Sequence, residues 1–180
     1  MRWGTYFAVL ASILSVGLAI GVSMPLVSLR LADWGYGTFA IGVMAAMPAV
    51  GVLVGAGVAS ALASRFGTAN LMRLCLWSGA FSVGALALLP YYPVWLVLRL
   101  MLGMILTIVF VLGESWINQL VTERLRGRLV ALYGSTYALS QLAGPLLLGV
   151  IGTEADYGFW IGVLLMTCSP LLLLGRTGAP

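Results

Sequence analysis

The chain has 180 residues, 62% apolar and only 8% charged, with a formal net charge of +4 and a mean hydropathy of +1.09. Soluble domains carry roughly 25% charged and about 45 to 50% apolar residues, so this composition belongs to an all-α, polytopic membrane protein. All nine basic residues are Arg and His is absent, which excludes a Ser-His-Asp triad, an HExxH zinc site, a Walker-type phosphate loop and a Schiff-base lysine.

No cofactor or metal is expected from such a set. The charge is not clustered on a solvated domain, so nucleic acid is not a partner. Cys75 and Cys168 lie far apart inside apolar runs, form no CxxC pair, and read as buried thiols.

Met1-Arg2 and the apolar run behind it open like a signal peptide, but the run exceeds the 7 to 15 residues of an h-region and lacks a good small-residue cleavage site. It is retained as the first of six transmembrane helices. A hydrocarbon core about 30 Å thick takes about 20 residues to cross, and the uncharged stretches predict helices over about 5–29, 39–63, 70–90, 93–117, 128–151 and 157–175. Turns fall at Asp33-Trp34-Gly35-Tyr36-Gly37-Thr38 and Pro90-Tyr91-Tyr92-Pro93. The connections are short, so sequence neighbours are expected to pack antiparallel within one transmembrane domain spanning 1–180.

With a cytoplasmic N-terminus, that side receives Arg2, Arg65, Arg73, Arg124, Arg126, Arg128 and Arg176, and the other side only Arg30, with Asp33, Glu154 and Asp156. This asymmetry places both termini and the 64–73 and 118–128 loops in the cytoplasm. Trp34, Tyr36, Tyr91, Tyr92, Trp95, Tyr157 and Trp160 at the outer ends, and Trp3, Tyr6 and Trp116 at the inner ends, read as interfacial belts rather than ligand-binding groups.

Small residues recur at Gly51, Gly55 and Ala59, and at Gly17 and Gly21, marking faces where helices come close. Arg99 lies about 9 Å into the fourth helix. An intramembrane guanidinium either faces a protein interior or watery cavity, marking a pathway, or snorkels to the headgroups. Its cost favours the first. Glu114, roughly 22 Å further along that helix, cannot pair with Arg99. It is expected to ion-pair with Arg65 or with Arg124, Arg126 or Arg128 as a cytoplasmic gate; the alternative is a proton site. On the fifth helix Tyr133, Tyr137 and Gln141 share one face, which either lines a cavity or bonds across an interface. Gly144-Pro145 should then bend that helix.

Arg124-Leu125-Arg126-Gly127-Arg128 leading to Gly144-Pro145, with Arg99-x-x-x-Gly103 in the fourth helix and Leu62-Ala63-Ser64-Arg65-Phe66-Gly67 after the second, resembles the major facilitator superfamily. Glu114-Ser115-Trp116 ahead of the Arg-Gly-Arg loop is most similar to its bacterial YcaD-like branch. Ser60, Ser64, Thr68 and Ala69 stand where the family's GxxxDRxGRR pattern has glycine, aspartate and a basic pair, and only Gly144, Pro145 and Gly149 meet its GxxxGPxxGG pattern.

The resemblance implies the N-terminal six-helix half of a secondary transporter, built as a 3+3 inverted repeat and moving a small solute by alternating access. Arg99 would meet an anionic or polar group, and Tyr137 and Gln141 would orient it. Proton coupling stays open. The implied setting is a bacterial inner membrane, with the bilayer and a second six-helix half or a homodimer copy as partners. Such a half is expected not to transport as a monomer. A non-transporting assembly or scaffold protein is the alternative, and an integral-membrane enzyme a more distant one, because Arg99 and Glu114 are too far apart to act on one substrate.

Overall fold

A computed structural model of the chain describes residues 3–121, 123–153 and 156–173. Arg2, Glu154 and Arg176, and the last residues of the sixth expected helix, lie outside them. The described elements are α1 Trp3–Asp33, α2 Thr38–Phe66, α3 Thr68–Leu88, α4 Tyr92–Leu120, α5 Glu123–Ile151 and α6 Tyr157–Cys168, followed by a 3₁₀ segment Ser169–Leu173.

Helices α1 to α4 are each long and apolar enough to cross a membrane. The apolar character of α5 is diluted by its arginine-rich start and by Thr136, Ser140 and Gln141. In α6 the regular helix ends at Cys168, and the 3₁₀ segment containing Pro170 carries the apolar run on to Leu173.

The helices end where the backbone demands it. After Asp33, Gly35 takes φ 80, and the Gly35 and Tyr36 amides donate to the Ala32 and Leu31 carbonyls at 2.9 and 3.0 Å. This is a Schellman arrangement, which favours glycine at the left-handed position. Gly67, at φ 77, is the entire connection between α2 and α3.

The expected loops over 64–73 and 118–128 are therefore mostly helix. Arg65 belongs to the last turn of α2, Arg73 to α3, and Arg124, Arg126 and Arg128 to the first two turns of α5. Glu123 opens α5, where a carboxylate complements the amide end of the helix dipole and helps it start five residues earlier than the apolar pattern indicates.

Of the sequence neighbours expected to pack, α3 and α4 do so extensively, and the other pairs are a second correction. The extensive interfaces join α2 to α4, α1 to α5, α3 to α6, α1 to α6 and α3 to α4, whereas α1 barely touches α2, and α5 barely touches α6. In lipid the association of helices follows close fit rather than chain proximity, and the small-residue faces of α1, α2, α4 and α5 select their partners. Exchanging α1, α2, α3 for α4, α5, α6 converts each of these interfaces into another of the same set. Three helices per unit is an odd number of crossings, so the second unit is inverted relative to the first.

Several buried serine and threonine hydroxyls are satisfied within their own helices. Ser12 and Ser15 donate to the Ala8 and Ala11 carbonyls at 2.9 and 2.8 Å.

Three residues of the expected aromatic belts, Tyr6, Trp95 and Trp116, are buried in the bundle instead. The Trp95 ring packs on Trp34 at 4.8 Å between centroids, and Tyr92 stacks on Tyr36 at 5.0 Å, so these aromatics tie the start of α4 to the end of α1. Cys75 is buried as expected, but Cys168 is exposed, because α6 presents that side outward.

Candidate functional site

The two principal crossings bring backbones together. On α2, Gly51, Gly55 and Ala59 are buried, and a Cβ on Gly51 would strike the Leu100 carbonyl of α4. A Cβ on Gly103 would strike the Pro48 carbonyl of α2. On the other side, Gly21 lies against the Gln141 carbonyl of α5, and Gly144 against the Gly21–Val22 backbone of α1.

Pro145 has no amide hydrogen, so the Gln141 carbonyl has no helical donor four residues on. The Gly21 Cα lies against that carbonyl, a place for a weak Cα–H···O contact. These contacts correspond under the exchange of units: Gly21 on Gln141 matches Gly103 on Pro48, and Gly144 and Gly51 each lie three residues further along. Helix α5 continues as one α-helix through Gly144-Pro145 to Ile151.

Between the crossings, Arg99 and Gln141 share a cavity of about 200 Å³ with Met24, Pro48, Val52 and Leu106. An adjoining depression of about 260 Å³ shares Val52 and Leu106 and adds Thr107, Phe110 and Tyr137. Gln141 also borders a wider recess beside Pro25 and Pro145. The three solute-pathway residues expected from sequence thus line one continuous wall.

Arg99 is 3% exposed, so it faces the protein interior and does not snorkel. Its Nη2 donates to the Ser23 and Met24 carbonyls of α1 at 2.8 and 3.3 Å, and its Nε is buried without a partner. Among the described residues the one ion pair is Arg30–Asp156, at 2.7 Å between the C-terminal end of α1 and the N-terminal end of α6. Arg99 therefore has no counter-ion among the described residues.

The aromatic stripe of α5 divides between the two roles that sequence left open. Tyr133 is an interhelical bond: it is buried, and its hydroxyl donates to the Val109 and Phe110 carbonyls at 3.2 and 3.3 Å. Gly113 of α4 makes the space for that ring. Tyr137 is half-buried on the wall, edge-on to Phe110 at 5.6 Å. A large residue opposite a glycine is the signal that would have separated the two tyrosines.

Near the C-terminal end of α4, Glu114 shares a recess of about 380 Å³ with Ser115, Asn118, Gln119 and Arg126. Its expected ion pair with Arg65, Arg124, Arg126 or Arg128 is not formed among the described residues; Arg65 is exposed, with its guanidinium 5.7 Å from the centroid of its own neighbour Phe66. Arg124 and Arg128 are exposed. Sequence reasoning also missed Pro25 and Pro48 at the cavity and the bond from Arg73 Nη2 to the Leu173 carbonyl at 3.3 Å, which ties α3 to the end of the α6 segment.

Inverted three-helix units crossing on glycine faces around an arginine-bearing wall define a multi-pass membrane protein with the fold of half a major facilitator. Residues 9–180 match the Major Facilitator Superfamily, and the chain belongs to that family.

Among its relatives is the protein described as "Uncharacterized MFS-type transporter YcaD" in Escherichia coli, found in strain K12 / DH10B and in O139:H28 strain E24377A. Each is 31% identical over 145 residues, covering 81% of this chain and 38% of the relative. The fold is similar to the crystal structure of a D-xylose-proton symporter, with TM-score 0.78 and 17% identity over 99% of this chain and 48% of the symporter. The inward-open xylose transporter XylE from E. coli matches with TM-score 0.71 and 17% identity, over 97% and 46% of the two chains. The chain thus spans about two fifths of these relatives and about half of these structures.

Proposed function

We propose that this chain forms the N-terminal six-helix half of a secondary transporter that moves a small solute across a bacterial inner membrane by alternating access. The observation that carries the reading is the wall on which Arg99, Tyr137 and Gln141 meet between the two inverted units. Secondary transporters of this architecture bind solute near the bilayer midplane and rock one bundle against the other about that site. Six helices provide one side of such a site, and a second half, or a copy of the chain related by an axis along the membrane normal, closes it.

Arg65, Glu114, Arg124, Arg126 and Arg128 belong to the cytoplasmic gate. Glu114 and Arg126, which already share a recess, make its closing contact, and the arginine asymmetry keeps both termini cytoplasmic. Gly144 and Pro145 lie where α5 bends during the movement. The similar fold of a D-xylose-proton symporter supports proton coupling as part of this reading.

Reconstitution tests it. The chain, alone and co-expressed with a second six-helix half, is placed in liposomes at limiting protein-to-lipid ratio and assayed for counterflow of a broad solute panel. Flux that requires the second half or a dimer, and is lost in Gln141→Ala without loss of expression, is the expected result. Flux from particles of single-chain mass would overturn the half-transporter assignment, and no flux of any solute from the assembled pair would overturn transport.

A further inference from the structure

The chemistry of the wall narrows the solute class. This step rests on reading the wall as the solute site. Across the cavity and its adjoining depression, Arg99, Gln141, Tyr137 and Thr107 bring the polar side chains, and no Asp or Glu lines either one. Thr107 is already committed, since its hydroxyl donates to the Gly103 carbonyl at 3.0 Å. The remainder is apolar, with Val52 and Leu106 bordering the cavity that Arg99 lines and Phe110 in the adjoining depression.

Each solute class leaves a different account on such a surface. A sugar brings several hydroxyl groups, and each one buried without a partner costs a few kcal/mol; the side chains of this wall serve too few of them. A cation would be pressed against a guanidinium with no carboxylate to offset it. An anionic group with an apolar body leaves nothing unmatched.

Arg99 is a buried cation without a counter-ion among the described residues. Such an isolated charge is strongly unfavourable in a low-dielectric interior. Its Nη2 is held by two carbonyls of α1, which fixes the plane of the group, while its Nε is unpartnered. A guanidinium has five donors in a rigid fork that matches a carboxylate, and two carbonyls do not exhaust them.

We propose that this wall binds an amphipathic organic monoanion, with its carboxylate on Arg99 and Gln141 and its apolar body along Val52, Leu106 and Phe110. An aromatic body suits the Phe110–Tyr137 pair, whose rings already meet edge to face.

The test compares three probes of one shape and different charge, benzoate, benzyl alcohol and benzylammonium, with D-xylose alongside, by equilibrium binding to the chain in lipid nanodiscs at neutral pH. Benzoate should bind saturably and at least tenfold more tightly than the alcohol or the ammonium. Because the charge is varied on the ligand, this comparison needs no variant to fold. Arg99→Gln should erase the preference and Arg99→Lys keep part of it, while Arg30→Gln, at the outer surface, leaves it intact; thermal melting checks that each variant is folded.

Preferential binding of xylose or benzylammonium would overturn the anion assignment and leave the transport reading standing on its flux assay. Absence of saturable binding by any probe would overturn it as well. A benzoate preference that survives in Arg99→Gln would make Arg99 only a clasp between α4 and α1. Benzoate binding without flux from the assembled pair would instead sink transport and keep the anion site.

Discussion

Two substitutions of the same kind should have opposite effects on this bundle. Replacing glycine by alanine within a helix gains about 1 kcal/mol from backbone propensity on aqueous scales. At Gly57 an added Cβ meets nothing within 4 Å, so Gly57→Ala should be neutral or stabilising by up to that amount.

At Gly103 the same methyl would be driven into the Pro48 carbonyl of α2. Overpacking costs typically about 1 to 3 kcal/mol. The obstacle is helical backbone, which has no rotamer to change, so the upper end applies. Subtracting the propensity gain leaves a net loss of about 2 kcal/mol, roughly thirtyfold in the folding equilibrium, and a gap of about 3 kcal/mol between the two variants. Unfolding in mixed micelles by SDS titration, followed by far-ultraviolet circular dichroism, measures that gap. Gly103 and Pro48 also line the cavity, so Gly103→Ala should weaken solute binding, whereas Gly57→Ala should leave it unchanged. A Gly103→Ala protein as stable as Gly57→Ala would show that the α2–α4 crossing is not a backbone contact.

Tyr133→Phe removes an interhelical hydrogen bond worth about 0.6 kcal/mol in a bilayer, and Gly113→Ala drives a methyl onto the same ring. The double variant should be less destabilised than the sum of the two by about 0.5 kcal/mol or more, and simple additivity in SDS unfolding would argue against that contact. For topology, alkaline phosphatase fused at Gly35 or Tyr92 should be active and at Thr68 inactive, and the reverse pattern would invert every assignment of inner and outer gate.

Most of the fold could be read from the sequence because lipid restricts spanning segments to a few solutions: long apolar runs must be helices. The Gly51-Gly55-Ala59 and Gly17-Gly21 faces indicated close approach, and both are interfaces. Their partners were hidden, since nothing local in α2 distinguishes α1 or α3 from α4 as the neighbour. The start of α5 differs from its expected place for a related reason. Apolar periodicity marks the part of α5 that lies in lipid, but Glu123 and the hydrogen-bonding needs of the backbone carry the helix on into its charged turns. Arg99 was conspicuous because a charge in an apolar run costs so much. Phe110 of α4 lies beside both rings, so the separate roles of Tyr133 and Tyr137 depend on Gly113, which makes room for Tyr133, and a single helix does not contain that information.

The repeat register bears on how such a bundle could change its cargo without changing its fold. Aligning Gly21 with Gly103 places Gly17 opposite Arg99, while aligning Gly144 with Gly51 pairs the facing stretches of α5 and α2. In the first unit the position is closed: Gly17 lies against Ser140, leaving no room for a side chain. In the second, Ala45 and Ala49 of α2 border the cavity that Arg99 lines, so small residues on the partner helix accommodate a large one. The glycine–carbonyl contacts recur in both units because backbone cannot yield to an added methyl. The arginine occurs in one alone, where the position opens on a cavity. Steric constraint thus holds the crossings fixed, and the residues between them are free to set the charge of the wall. Substitutions at Arg99, Ala45 or Ala49 should therefore change which solute is held, while those at Gly21, Gly51, Gly103 or Gly144 change whether the wall forms at all.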